Sequence, residues 1–293
     1  MSGRESRRAW LAGEIALRHL HAIRREHLAR YPQLACMAFE HHGITINIYG
    51  RDDREQLDYL RRFAAGNVVC DVGANIGNHT LAFAEVASRV IAFEPNPLIF
   101  ELLKLNCRDH PNVTPLRLAA SDSAGTARAS APRTNYGESR ITDAPKDGEL
   151  PLTFDLVRLD DVPELNAERV GLIKIDVEGH EANVLRGAER LLRRDKPLVV
   201  LEQHPAAIAD GTSPSLDLLR DAGYAHVYSL ERVRPWLIPV WLPRPIRRPL
   251  TLLEGLLLGP PRATAVLRPV PRLRKQAYWM LVVAPEPLGV TSQ

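Results

Sequence analysis

From residue 68 onward the chain alternates short, continuously apolar runs with stretches whose apolar positions recur every three or four residues. The apolar runs at 68–72, 90–93, 113–119, 171–175, 198–201, 226–230 and 278–284 predict strands. The periodic stretches at 80–87, 97–107, 181–193 and 215–222 predict helices between them. Strands that are apolar along their whole length and alternate with helices belong to a parallel sheet covered on both faces. The expected fold is therefore α/β, with a doubly wound, mostly parallel seven-stranded sheet.

Before this frame, residues 9–29 set Leu11, Ile15, Leu20, Ile23 and Leu28 at helical spacing among Arg and His, which predicts an amphipathic N-terminal helix lying on a larger body. Residues 36–49 read as two short strands turning at His41-His42-Gly43, and 54–64 as a helix ended by Gly66-Asn67. The chain is thus expected to divide into a cap at 1–66 and a main domain at 67–293. Two segments interrupt the alternation. Residues 121–149 are polar and rich in Ser, Ala, Thr and Asn, as expected of a lid or of part of a binding site. Residues at about 232–275, rich in Pro, Arg and Trp, read as an insertion between the last two strands. Within it, Trp236, Leu237, Ile238, Trp241 and Leu242, followed by Arg244, Arg247 and Arg248, form either a lid or a surface for peripheral membrane contact through 236–248.

Composition narrows the function classes. A chain of 293 residues, 45% hydrophobic and 25% charged, can bury a full core. Its formal net charge of +3 is far from the basic excess that phosphate backbones attract, so no nucleic-acid partner is expected. Cys36, Cys70 and Cys107 are odd in number and widely spaced, which fits reduced thiols and a cytoplasmic protein. No apolar run near the N-terminus has signal-peptide length, and the greasiest stretch elsewhere, 250–258, is broken by Glu254 and Gly255.

The candidate chemistry lies where strands end. Val69-Cys70-Asp71-Val72-Gly73-Ala74-Asn75-Ile76-Gly77 closes a strand with an acid and opens into a turn at which Gly73, Asn75 and Gly77 tolerate positive φ. Asp71 there either touches a ligand or braces the turn. The next strand ends at Glu94, placed to accept hydrogen bonds from both hydroxyls of a ribose, or else to cap the helix that starts at Pro97. The turn lacks the G-x-G-x-x-G that holds a pyrophosphate, which favours an adenosine ligand without phosphates, such as S-adenosylmethionine, over a dinucleotide. The run 172–181 ends a further strand with Asp176 and Glu178, and His204 follows the strand after it. Strand ends at the switch in strand order face the ligand crevice, so Asp176 and Glu178, with His204 behind them, are the candidate catalytic groups. Asp176 and Glu178 could also hold a divalent metal ion, although no wider ligand spacing supports one. Glu181 suits a helix start, and His79 reads as a positioning residue.

Together, Asp71-Val72-Gly73-Ala74-Asn75-Ile76-Gly77-Asn78-His79-Thr80, Phe93-Glu94-Pro95, Arg158-Leu159-Asp160-Asp161 and Ile173-Lys174-Ile175-Asp176-Val177-Glu178-Gly179-His180-Glu181, followed by Val184-Leu185-Arg186-Gly187, resemble the FkbM-type methyltransferases over about residues 68–202. The resemblance implies a Rossmann-like class I methyltransferase fold, S-adenosylmethionine as donor, and transfer to an oxygen of a small molecule, sugar or glycolipid. The donor-site residues would be Asp71, Gly73, Asn75, Gly77 and Glu94. An NAD-dependent oxidoreductase and a non-catalytic binding module on the same fold are the competing classes. Nucleobase amino methylation fits less well, since its usual Asn-Pro-Pro is replaced here by Asp176-Val177-Glu178-Gly179.

Overall fold

The computed structural model describes residues 54–133, 137–233 and 263–289, with positions 242, 243, 245, 246 and 250. The helix expected at 9–29, the strands at 36–49 and most of the 236–248 patch lie outside the described residues. The first described element is helix α1 (Arg54–Ala64), which buries Leu57, Leu60 and Ala64 against the main sheet.

The main sheet has eight strands in the order β11-β10-β12-β9-β8-β1-β2-β3. One half is built by β1 (Val68–Val72), helix α2 (Asn78–Ala84), β2 (Arg89–Phe93), helix α3 (Pro97–Cys107) and β3 (Val113–Leu116). The other is built by β8 (Val170–Ile175), β9 (Leu198–Gln203), β10 (His226–Val233), β11 (Thr264–Pro269) and β12 (Tyr278–Ala284). Pairing is parallel from β3 across to β9, whereas β12 runs antiparallel between β9 and β10. The expected doubly wound, mostly parallel α/β sheet is present. Its continuous apolar strands follow from two cores: in β1, Cys70 and Val72 pack into one layer and Val69 into the other.

Strand β11 is one more than the seven expected and lies in the segment read as an insertion. It is an edge strand with Leu267 as its one buried residue, and it ends at Pro269, so its apolar content was too small to stand out from Pro- and Arg-rich surroundings. Three further boundaries differ from expectation. The strand read at 113–119 is two: β3 stays in the main sheet, while β4 (Ala119–Ala120) enters a second one. The polar segment 121–149 is not an irregular lid. With the strand after it, it forms the second sheet, in the order β4-β7-β5-β6, from β5 (Gly125–Ala131), β6 (Arg140–Ile141) and β7 (Leu150–Val157). The buried positions of β5 are consecutive and small, Ala129, Ser130 and Ala131, so the strand offers neither an alternation nor a strongly apolar run for hydropathy to show.

The helix read at 181–193 is broken at Gly187 into α5 (Glu181–Arg186) and α6 (Glu189–Asp195). A side chain at Gly187 would stand 1.9 Å from the carbonyl oxygen of Ser121, so two backbones meet there. The exposed start of α6 is then capped from a distance. Buried Asp160 accepts hydrogen bonds from the amides of Arg190 (3.1 Å) and Leu191 (3.0 Å), and Arg158 reaches its Oδ2 at 3.3 Å. The remaining described helices, α4 (Pro163–Asn166) and α7 (Pro214–Asp221), complete the layers. No helix among the described residues is long and apolar enough to cross a membrane.

The chain builds outward from β1 to β2 and β3, then returns to lay β8 on the opposite side of β1. The carboxyl ends of β1 and β8 therefore flank the crevice at the switch in strand order. Replacing Asp160 with Ala leaves two helix-start amides, that of Leu191 buried and that of Arg190 partly so, without an acceptor. The expected loss is about 2 kcal/mol, or roughly 4–8 °C in Tm, read by thermal unfolding; an unchanged Tm would show that the remote cap contributes nothing.

Candidate active site

The loop after β1 is set by close backbone contacts. Its Gly73 and Ala74 amides donate to the Phe93 carbonyl at 3.0 and 2.9 Å, which fastens it to the end of β2. Gly73 has φ +76°, and a side chain there would lie 1.8 Å from the carbonyl oxygen of Asp176 at the end of β8. Gly77, at φ +95°, has the Leu103 side chain 3.0 Å from where its Cβ would stand. These glycines are needed because backbone and core come too close for a side chain. Asn75 takes the left-handed conformation at φ +50° and turns its Oδ1 to the Ile76 amide.

Beneath the loop lies a buried charge network. Lys174 Nζ donates to the Gly73 carbonyl at 2.7 Å and stands 3.3 Å from Asp71 Oδ1 and 3.6 Å from Asp176 Oδ2. Burial works against its ammonium, but the carboxylates of Asp71 and Asp176 outweigh that and raise its pKa above the ordinary lysine value. Asp71 is fully buried and accepts from Thr80 Oγ1 at 2.6 Å, so of the two roles open to it from sequence its surroundings fit the brace.

Glu94 is 5% exposed at the end of β2. Its Oε2 accepts from the Asn75 amide at 3.0 Å and its Oε1 from the Asn96 amide at 2.8 Å. The helix cap is Asn96, whose Oδ1 accepts from Leu98 N at 3.1 Å, and not Glu94. Burial pushes the Glu94 carboxyl up to about 7, against the opposing pull of the two amides and Lys174. It lines a cleft of about 770 Å³, counting the part open to solvent, with Gly73, Asn75 and Phe93 on one side and Ile141 and Phe154 of the second sheet on the other.

A second, more open cleft of about 1280 Å³ adjoins it, lined by Asp176, Glu178, Glu202, His204, His79 and Trp279. Gly73, Asn75, Glu138, Asp176 and Glu178 border both clefts, which therefore meet at the end of β8. His204 Nε2 lies 3.8 Å from Glu178 Oε2 and 3.7 Å from Glu202 Oε1. Glu202 and Asp176 share a hydrogen bond, and burial first, then the Asp176 charge, holds Glu202 well above the usual carboxylate range. Glu178 is raised for the same two reasons. Its φ of +51° is unusual for a non-glycine residue and marks local strain beside the crevice. Glu181 Oε1 accepts from the Gly179 amide at 2.9 Å, a helix-start contact.

The structure thus brings Gly73, Asn75, Glu94, Asp176, Glu178 and His204 to two joined clefts and sets Asp71 and Gly77 behind them. Sequence reasoning passed over Lys174, Glu202, Glu138 and Trp279. Lys174 carried a signal, since a lysine inside an apolar strand requires a buried partner charge. Glu202 ends its strand as Glu94 does. Among the described residues no group of three or more His, Cys, Asp or Glu side chains is arranged to hold a metal ion. Cys70 and Cys107 are buried free thiols, both raised by burial, Cys107 to about 12.

A carboxyl whose folded pKa is raised contributes stability that is present below its unfolded value and lost as pH rises through the folded one. Glu94 therefore destabilises the ligand-free protein as pH climbs from about 4.5 to above about 7. Glu94→Gln, which cannot ionise, should gain on wild type across that interval, by up to about 3 kcal/mol. Melting curves between pH 5 and about 8 check this, and a constant gap between the two proteins would refute it.

Residues 71–226 match the family model described as the methyltransferase FkbM domain. The chain is 32% identical over 164 residues to the hexuronic acid methyltransferase AglP of Haloferax volcanii, covering 53% of this chain and 64% of that protein. It thus spans just under two thirds of that relative's length. To the 31-O-demethyl-FK506 methyltransferase FkbM of Streptomyces tacrolimicus it is 33% identical over 196 residues, covering 55% of this chain and 75% of that one. Among solved structures, an FkbM methyltransferase from Methylobacillus flagellatus KT aligns with a TM-score of 0.36 at 16% identity, over 64% of this chain and 48% of that one. Since the matched residues take in more than half of the chain, with the strand ends that carry Glu94, Asp176 and Glu202, the chain belongs to the FkbM methyltransferase family.

Proposed function

We propose that the protein transfers a methyl group from S-adenosylmethionine to a hydroxyl oxygen of a sugar, a glycolipid or another hydroxylated small molecule. The observation that carries this is the meeting of two clefts at Asp176 and Glu178, one holding the Glu94 carboxylate and the other open to an acceptor. The names of two relatives, which specify a hexuronic acid and 31-O-demethyl-FK506, support an acceptor of this kind.

The first cleft fits the donor. Each Glu94 oxygen takes one amide hydrogen bond, which leaves lone pairs on both for ribose hydroxyls. Phe154, Ile141 and Leu118 supply an apolar wall for a base. When bound, the donor supplies a methyl group on a sulfonium, already activated towards an oxygen nucleophile. The protein's own task is to hold the acceptor oxygen in line and to receive its proton. In-line positioning is worth about 7–11 kcal/mol of barrier. Asp176 is the proton acceptor in this scheme: it borders both clefts, Lys174 favours its charged form, and its hydrogen bond to Glu202 puts the shared proton on Glu202. His204, half exposed and beside Glu178 and Glu202, opens the way for that proton to solvent.

Adenosylhomocysteine should raise the Tm of wild type, and Glu94→Ala should weaken its binding about tenfold or more, a loss of about 1.4 kcal/mol. Affinity should also strengthen as pH rises through about 7, because hydroxyl donors favour the ionised Glu94. Stabilisation by NAD but not by adenosylhomocysteine would overturn the proposal. Asp176→Asn should lower kcat by roughly 10²- to 10⁴-fold while leaving donor binding in place, measured as methyl transfer from labelled donor to a panel of hydroxylated glycans, lipids and macrolides.

A further inference from the structure

One wall of the Glu94 cleft hangs on a strand that can do little to hold itself. Strand β6 has two residues and pairs with β5 at two positions, Ala129 with Ile141 and Ser130 with Arg140, followed by one more backbone bond from the Thr142 amide to the Arg128 carbonyl at 3.0 Å. So short a ladder offsets little of the entropy lost in fixing the segment. Yet residues 137–141 supply Gly137, Glu138, Ser139 and Ile141 to the lining of the cleft. Two contacts outside the ladder hold this stretch. At one end is Glu149, whose side chain is only 8% exposed. Its carboxylate accepts from Arg140 Nη2 at 2.6 and 2.8 Å, from Ser130 Oγ at 2.7 Å and from the Lys146 amide at 3.0 Å. At the other end Gly137 lies against the loop after β1, so that a side chain there would stand 2.6 Å from Asn75 Nδ2. Asn75 in turn gives its backbone amide to Glu94.

Resting on the reading of this cleft as the donor site, we infer that Arg140 and Glu149 are positioning residues for the donor: they hold the 137–141 stretch against it and so set how tightly it is kept. Neither of the two lines the cleft, so they act through their neighbours. Arg140 lies between Ser139 and Ile141, both of which do line it, and Ile141 packs with Phe154 and Ala129 in the small core of the second sheet. A guanidinium held by a carboxylate is a strong, charge-assisted contact, and it fixes Arg140 where two ladder positions could not. The same carboxylate satisfies the hydroxyl of fully buried Ser130, so truncating Glu149 takes a partner from both residues at once. An enclosed ligand leaves only when its covering wall moves. Loosening that wall therefore acts mainly on dissociation.

The test uses the full chain with adenosylhomocysteine as the probe, read by calorimetry for affinity and by surface plasmon resonance for rates. Glu149→Ala is expected to weaken binding about tenfold, mostly through faster dissociation. Arg140→Met, which keeps an apolar stem without the charge, should lose a similar factor, and Arg140→Lys, which keeps a cation within reach of Glu149, should recover most of it. Gly137→Ala leaves the Arg140–Glu149 contact in place but forces the stretch away from Asn75, so it should also speed dissociation. Should Glu149→Ala fail to fold, Arg140→Met and Gly137→Ala carry the test. Were the pair merely structural, Glu149→Ala and Arg140→Met would melt earlier yet bind adenosylhomocysteine as wild type does; that result, or unchanged binding in Gly137→Ala, would overturn the inference. Failure of wild type itself to bind adenosylhomocysteine would instead strike at the methyl-transfer scheme, which separates the two failures.

Discussion

One buried ammonium holds the site together. Lys174 is the penultimate residue of β8, between the apolar Ile173 and Ile175, yet it reaches the carbonyl of Gly73 and the carboxylates of Asp71 and Asp176. Desolvating a charge is tolerable only when partners surround it. Because those partners come from the ends of β1 and β8, the lysine fixes two loops relative to each other that would otherwise be joined only by sheet pairing. The fit is tight enough that Gly73 has no room for a side chain.

On this pinned edge the two halves of the crevice divide the work. Backbone amides position Glu94 in the first, and the second sheet closes it from above. Side chains from the ends of β8 and β9 shape the other, where carboxyl groups crowd together and share protons. The strained backbone of Glu178 lies where the halves meet, as is common where function, rather than folding, sets the conformation.

Much of the frame was legible in the sequence, because continuous apolar strands and Gly-rich strand ends leave plain patterns. Pro97–Cys107 and Tyr278–Ala284 emerge with the expected bounds. The second sheet was hidden by the small buried residues Ala129, Ser130 and Ala131, and β11 by having one buried residue, Leu267, and a terminal proline. At the site, the residues at strand ends were findable from topology, whereas those whose role depends on cross-sheet contact were not. Nothing local to Asp71 says whether it faces ligand or Lys174, and no pattern along β12 announces the register shift at which Trp279 is left exposed.

The position of β12 also bears on how the protein is made. The lysine contact joins residues 101 apart in sequence, and β12, late in the chain, must insert between β9 and β10 to finish the wall of the second cleft. Long-range pairings of this kind form slowly. The residues that line the Glu94 cleft, from Val72 to His180, all precede β12 in the chain, whereas the second cleft takes Trp279 and Met280 from β12, so its wall is the last part of the site to be synthesised.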